Sequence, residues 1–412
     1  MRYRLSIAPS LDRYRSELEY ACAFLDRCYH VERVDEAQTV LHYGPQPPAG
    51  AVAVPNLIFP DAVLVDSAGI HPKRPRPYKS DICTDTLGGI FFLLSRLEER
   101  ESPWKDRYGR FPVQASLLSR LGCHAEPLAD AAAHRLAQAL TGLDDPPKRT
   151  TYTVRLTHDV DGLPGDHRPW QPIRYAIGDL VKRGQPRKAW HRLRRAYASS
   201  WFLRDCEWLM ELAAAKQLQA RFFFMGPSPH PMDSPYLLQC QPFATTLMRR
   251  IQDRGHLIGF HPGFTTATDP NEWHRQREGL EALAGPITEG RQHVLQYDAD
   301  MAPNIWDQAG MHTDYTLAYP EQGGFRAGTC RPFQAYSLRH RRILSVVQVC
   351  TALMDFSYVG GKYRPDDPGQ AQAEARHLIA TCQHYGGTLA VLYHPGQGQP
   401  AQEWYEMVLA HV

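Results

Sequence analysis

Asp159 and Asp161 close the segment VRLTHDVDG at residues 154–162. Alternate residues of a strand point to the same side, so both carboxylates are expected on one face before Gly162 opens a loop. One carboxylate can then hold a divalent metal ion while the other removes a proton from a metal-bound water, as in metal-assisted hydrolysis. A strand that merely ends in a turn rich in Asp and Gly has the same pattern, so this motif alone leaves both interpretations open.

Two histidines lie where other apolar runs end. His261 follows LIGF at 257–260, and His394 follows LAVLY at 389–393. A lone histidine is usually just a hydrogen-bonded polar residue. Two of them at strand ends, together with the paired aspartates, match the nitrogen and oxygen ligands that suit zinc. Arg291 and His293 are predicted to share one face of a further strand.

The elements that position these residues alternate between strand-like and helical patterns. Strands are predicted at 152–156, 220–225, 257–261, 292–297, 316–319, 343–349 and 388–394, and helices at 85–101, 129–140, 204–217, 243–254, 273–284 and 368–384. Repeated β-α units favour a parallel sheet or barrel, with the loops that do chemistry at the carboxyl ends of its strands. The two prolines of DDPPKR at 144–149 predict a boundary, with a small α/β domain at 1–148 and a larger domain at 149–412.

Composition excludes several classes of protein. The chain of 412 residues is too long for one ordinary hydrophobic core, which favours two domains. Its 43% hydrophobic and 22% charged residues are typical of folded globular proteins. A net charge of +2 does not indicate nucleic acid as a partner. Nine scattered cysteines without a C-x-x-C pair predict reduced thiols in a cytoplasmic protein. No signal peptide and no transmembrane segment are expected.

Three segments resemble motifs of the polysaccharide deacetylases, the NodB-homology group of carbohydrate esterase family 4. They are THDVDG at 157–162, GHLIGFH at 255–261 and LYH at 392–394. The resemblance covers roughly residues 150–412 and implies a distorted (β/α) barrel, preceded here by the smaller α/β domain. That domain is similar to a companion domain found ahead of some such deacetylases, on FFLLSRLEE at 91–99 and DRYGRF at 106–111.

The resemblance also implies roles for individual residues. In this chain they are Asp159 as catalytic base, Asp161 and His261 as metal ligands, His394 as general acid, and Arg291 as the residue that orients the base.

One position departs from the family pattern. A second ligand histidine usually follows the first by four residues, and this chain has Thr265 there. Because a threonine hydroxyl is a poor zinc ligand, we take His293 as the candidate third ligand. Arg326 and Tyr393 are candidate substrate-binding residues, the first for a sugar hydroxyl or phosphate and the second as a stacking surface.

The predicted function is metal-dependent removal of an N-acetyl group from an amino sugar in a glycan or glycan precursor. Zinc is the expected metal, with cobalt or nickel as alternatives, and nucleotide-linked and lipid-linked sugars are both candidate substrates. Two alternatives stay open. A degenerate deacetylase could act as a glycan-binding module, given Thr265. A haloacid-dehalogenase-like phosphatase could use Asp159 and Asp161, although it would leave His261 and His394 unused.

Overall fold

Strands and helices alternate along most of the chain in this computed structural model, so the fold class is mixed α/β as predicted. The structure describes residues 1–60, 63–73, 79–164, 170–181, 184–186, 189–190, 193, 199–359 and 368–412. The strands are β1 (Arg2–Ile7), β2 (Glu32–Arg33), β3 (Thr39–Tyr43), β4 (Val52–Val54), β5 (Val63–Asp66), β6 (Gly69–Pro72), β7 (Thr153–Val160), β8 (Ala220–Met225), β9 (Leu257–His261), β10 (Glu289–Gly290), β11 (Thr313–Asp314), β12 (Phe333–Ser337), β13 (Arg342–Gln348), β14 (Thr351–Met354) and β15 (Thr388–Leu392).

The α-helices of the described residues span Arg15–Cys28, Lys79–Thr84, Thr86–Leu94, Leu117–Arg120, Leu128–Thr141, Trp170–Val181, Ser199–Ala215, Tyr236–Gln239, Gln241–Asp253, Pro270–Ala284, Ala302–Gln308, Asp355–Tyr358, Pro368–Tyr385 and Gln399–Leu409. The helix predicted at 85–101 stops at Leu94, since Arg96 has a left-handed φ of 56° that an α-helix does not accept. The strands predicted at 292–297 and 316–319 are wrong. Val294 and Leu295 have positive φ angles of 52° and 58°, which are incompatible with a strand.

The described residues form two compact units. The first comprises Met1–Val154, Leu295–Ala390 and His411–Val412, and the second comprises Arg155–Val294 and Val391–Ala410. The first break lies close to the boundary predicted after residue 148. The structure differs from the prediction over 295–390, because that long segment belongs to the first unit and not to the domain predicted at 149–412.

The first unit contains the parallel sheet β2-β1-β3-β4, with the segment 295–390 bonded to its N-terminal part. Apolar residues of Thr86–Leu94 are wholly buried, and the carboxylate of Asp85 caps this helix by accepting from the Gly88 amide at 2.8 Å. Three ion pairs join the two segments, namely Glu17–Arg341 at 2.8 Å, Glu99–Arg326 at 2.7 Å and Asp130–Arg331 at 3.3 Å. The three carboxylates are buried, and the arginines of the later segment compensate their charge, together with Arg96 in the case of Glu99.

The second unit contains the parallel strands β7, β8, β9 and β10, in that spatial order. All six residues of β8 are buried, as expected of a central parallel strand covered on both faces. Its register pairs Phe224 with Val160 and Met225 with His261, so β7, β8 and β9 end at the same edge of the sheet. The residues that follow these strands are therefore brought to one place.

Among the described residues, no helix combines the length and apolarity needed to cross a bilayer.

Candidate metal centre

Asp161 and His261 lie side by side at the carboxyl edge of the second unit's sheet. His261 is the last residue of β9, and Asp161 follows β7 on the other side of β8. His261 Nε2 lies 3.2 Å from Asp161 Oδ1. Two strand ends that are 100 residues apart in sequence thus present a carboxylate and an imidazole to the same point.

His293 adds a second imidazole to this pair. It lies in the short 3-10 turn His293–Leu295 that follows β10, and its ring centre is 5.1 Å from that of His261. One ligand atom from each of Asp161, His261 and His293 lies within 4.8 Å of the other two, so the three could hold a metal ion. Both histidines are buried, whereas the Asp161 side chain is 40% exposed. A site closed on its imidazole side and open beside the carboxylate suits a catalytic zinc, which keeps one position for water or substrate.

The hydrogen bonds of His261 fit a metal ligand. Its Nδ1 donates to the carbonyl oxygen of Arg291 at 2.6 Å, so in the neutral imidazole Nε2 carries the lone pair. That Nε2 is buried and lies 3.2 Å from Asp161 Oδ1, but it has no partner with hydrogen-bond geometry in the described part of the chain. A buried nitrogen left in this way is costly, and a cation at the candidate site would satisfy it.

Electrostatics favour an ionised carboxylate beside these rings. Desolvation opposes charge on Asp161, but the close contact with the His261 imidazole and the charges of His394 and His261 outweigh it and hold the Asp161 pKa below its usual range. Burial likewise disfavours charge on His261, and the carboxylates of Asp159 and Asp161 overcome it and raise the His261 pKa. This concentration of negative charge is what a divalent cation would neutralise. His394 Nε2 lies 3.7 Å from Asp161 Oδ2, beyond hydrogen-bond distance.

Asp159 is held by a buried arginine. Arg291 Nη1 donates to Asp159 Oδ1 at 2.7 Å, and its Nη2 donates to Thr157 Oγ1 at 2.8 Å. The guanidinium lies over the ring of Phe223, 5.3 Å from its centre. Gly259 makes room for that ring, since a Cβ there would lie 2.3 Å from Phe223 Cδ1. The small residue in β9 thus allows the packing that carries Arg291 to the carboxylate.

The structure brings together six of the eight residues predicted for the site: Asp159, Asp161, His261, Arg291, His293 and His394. Arg326 and Tyr393 are placed differently. Arg326 lies in the first unit, buried against Glu99, and Tyr393 is wholly buried with its ring 4.9 Å from that of Tyr405. Their roles in substrate binding stay predictions that these positions do not support.

One residue at the site was missed by sequence reasoning. Asp233 Oδ1 lies 2.7 Å from His293 Nδ1, and the Asp233 side chain is buried. It belongs to the loop after β8, in the segment PHPMDSP at 229–235, where an aspartate flanked by prolines reads as an ordinary turn residue. Its position after a predicted parallel strand was the signal available.

These features define an α/β protein whose parallel strand ends carry a candidate mononuclear metal site of one carboxylate and two imidazoles. Residues 17–144 match the profile of a family of unknown function, DUF7033. None of the curated proteins compared with the chain matches it. A crystal structure described as a "putative polysaccharide deacetylase from Mycobacterium smegmatis" is 19% identical, with 63% of this chain and 85% of that chain covered, at a TM-score of 0.41. A likeness this distant shows nothing about the activity of this chain.

Proposed function

We propose that this chain is a metal-dependent hydrolase that removes an N-acetyl group from an amino sugar in a glycan or glycan precursor. The observation that carries the proposal is the meeting of the ligand set Asp161, His261 and His293 with a second carboxylate, Asp159, held by Arg291. Separate groups for metal binding and for proton removal suit metal-assisted hydrolysis of an unactivated amide. The deacetylase-like motifs at 157–162, 255–261 and 392–394 support an acetamide as the bond that breaks.

The residues divide the chemistry in a simple way. When bound, a divalent cation such as zinc would supply Lewis acidity toward water and toward the acyl oxygen. Asp159 takes a proton from the water that attacks the acetamide carbon, while Arg291 keeps its carboxylate in place. His394 donates a proton to the nitrogen as the C–N bond breaks, so that acetate and a free amine leave. In this scheme Asp159 and His394 are the catalytic acid–base pair.

Acetate release and metal content test the proposal together. We expect the full chain, loaded with zinc, cobalt or nickel, to release acetate from N-acetylglucosamine oligomers, UDP-N-acetylglucosamine or a lipid-linked N-acetylhexosamine. Asp159→Asn should lower the rate by roughly 10²–10⁴-fold and leave the bound metal unchanged. Asp253→Asn is the matched control, since Asp253 is exposed at the end of the helix Gln241–Asp253.

Each outcome separates one alternative from the others. Normal acetate release by Asp159→Asn would remove Asp159 from the role of base. A chain that binds these glycans but binds no metal and releases no acetate would be a glycan-binding module. Phosphate release from an aryl phosphate, without any deacetylation, would instead favour the phosphatase chemistry.

A further inference from the structure

Asp233 is the most heavily engaged carboxylate near the candidate metal centre. Its Oδ1 accepts from His293 Nδ1 at 2.7 Å and from the amide of Phe264 at 2.8 Å. Its Oδ2 accepts from Ser228 Oγ at 2.7 Å. Burial would raise the Asp233 pKa, but the hydrogen bonds from His293 and Ser228 outweigh it and lower that pKa. The carboxylate is thus a fixed acceptor for Nδ1 of His293.

The two candidate histidine ligands are oriented in parallel ways by different groups. A carbonyl oxygen receives the Nδ1 proton of His261, and the Asp233 carboxylate receives that of His293. In both rings the lone pair therefore falls on Nε2 when the imidazole is neutral. A carboxylate behind a ligand histidine fixes its tautomer and ring orientation and raises its basicity. Neither effect is available to an imidazole that turns freely on the surface.

The same carboxylate also holds the turn at which the family pattern would place the second histidine. The amide of Phe264 is bound to Asp233, and Gly263 approaches so closely that a Cβ there would lie 2.4 Å from Asp233 Oδ2. The 3-10 turn Phe264–Ala267 begins at this point and leaves Thr265 exposed. Asp233 therefore touches both the turn that carries no ligand histidine and the histidine that stands in for it.

We infer that Asp233 is a positioning residue for the metal centre, which makes His293 a ligand by fixing Nε2 toward Asp161 and His261. The inference rests on the proposed function only in taking these three residues as ligands for a divalent metal. It concerns the affinity of the substrate-free protein for metal and requires no particular substrate. Asp233 itself does not contact the reacting atoms.

Zinc affinity of the full chain, measured by chelator competition without substrate, tests this role. We expect Asp233→Asn to weaken zinc binding by about 10–100-fold, the usual effect of losing a carboxylate behind a ligand histidine. Asp269→Asn is the matched control, because Asp269 also accepts backbone amides, from Asn271 and Glu272, but contacts no candidate ligand. The control should bind zinc with the affinity of the unaltered chain.

A double-mutant cycle distinguishes a positioning role of Asp233, through His293, from a purely structural role in holding the turn. If Asp233 acts through His293, then Asp233→Asn should cost no further zinc affinity in a His293→Ala background. A further loss there, comparable with the loss in the single variant, would show that Asp233 serves the turn and would overturn the inference. Unchanged zinc affinity in Asp233→Asn would overturn it as well.

The tautomer of His293 gives a second measurement that does not depend on how the variant folds. Nitrogen-15 NMR of the metal-free, unaltered chain should show the proton of neutral His293 on Nδ1. A proton on Nε2 would overturn the inference. Zinc binding that follows these expectations in a chain without deacetylase activity would leave Asp233 as a positioning residue and reject only the proposed reaction.

Discussion

Arg291 reaches Asp159 from the strand end on the far side of the sheet in the second unit, across 132 residues of sequence. Its Nη1 is 2.7 Å from Asp159 Oδ1, and both side chains are buried. The same guanidinium binds Thr157 Oγ1, so two residues of β7 share one arginine. This fork fixes the direction of the carboxylate, which a single point charge would not do.

Replacement of Arg291 by lysine keeps a positive charge beside Asp159 and removes the fork that orients its carboxylate. We expect Arg291→Lys to lower kcat by about 10–100-fold, since a 1 Å misplacement of a catalytic group has an effect of this order. Its zinc content should stay normal, because Arg291 contacts His261 through its main-chain carbonyl, which the substitution keeps. Steady-state kinetics and metal analysis of one preparation provide the test. A kcat equal to that of the unaltered chain would contradict the orienting role.

Zinc should stabilise the chain through His261. A metal that binds only the folded state raises the free energy of unfolding by about 2.7 kcal/mol when its free concentration is 100 times its dissociation constant. We expect added zinc to raise the melting temperature, measured under reducing conditions. The His261→Ala variant should not show this rise. His274→Ala, on the exposed side of the helix Pro270–Ala284, should keep the shift. A shift that persists in His261→Ala would place the metal elsewhere.

The part of this site that sequence patterns predict is the part that lies on strands. Asp159, Asp161 and His261 follow apolar runs, and the rule that parallel strand ends meet at one edge is enough to bring them together. Site residues that lie in loops are harder to predict from sequence, because loops carry no such periodicity. Asp233 and His293 are 60 residues apart and lie in irregular backbone, so their contact depends on packing that neither segment encodes alone.

The division into units shows the same limit at a larger scale. The prolines at 146 and 147 lie close to the break between the two units after Val154. They do not predict that residues 295–390 belong to the first unit. This placement depends on arginines such as Arg326 and Arg331, whose buried acidic partners precede them by 227 and 201 residues. Local composition cannot reveal pairings over such distances.

Residues 1–148 should consequently fail to fold alone. Without 295–390, Glu17 and Asp130 lose their arginine partners and Glu99 keeps Arg96 but loses Arg326, and breaking a buried ion pair costs about 3–5 kcal/mol. This is a large share of the stability of an ordinary domain. We expect a fragment of these residues to show poorly dispersed amide signals in NMR and no cooperative unfolding. A well-dispersed spectrum with a sharp unfolding transition would show that the predicted domain is autonomous.

Arg326 should matter for stability and not for substrate binding. It donates to both carboxylate oxygens of Glu99, at 3.0 and 2.7 Å, in a buried setting. We expect Arg326→Met to lower the free energy of unfolding by about 3 kcal/mol, at the low end for a broken buried pair because Arg96 still binds Glu99. At a temperature where it stays folded, its KM should match that of the exposed control Arg254→Met. A raised KM with unchanged stability would support the substrate-binding role instead.

His158 should make the stability of the chain fall in mild acid. Its Nδ1 donates to the Tyr393 carbonyl at 3.1 Å, its ring packs 4.8 Å from that of Phe222, and burial lowers its pKa from 6.5 to about 3. Between these two pH values the unfolded chain binds a proton at His158 that the folded chain does not. The free energy of unfolding therefore decreases as pH falls below 6.5, by about 1.4 kcal/mol per pH unit from this residue.

His158→Gln keeps a donor for Tyr393 and removes the titration. Denaturation in a chelator, which excludes metal effects, should give a shallower loss of stability between pH 6 and pH 4 for this variant than for the unaltered chain. The expected difference in slope is about 1.4 kcal/mol per pH unit. His274→Gln, at an exposed histidine, should keep the full slope. Parallel curves for His158→Gln and the unaltered chain would mean that His158 is protonated in the folded protein, contrary to its burial among aromatic rings.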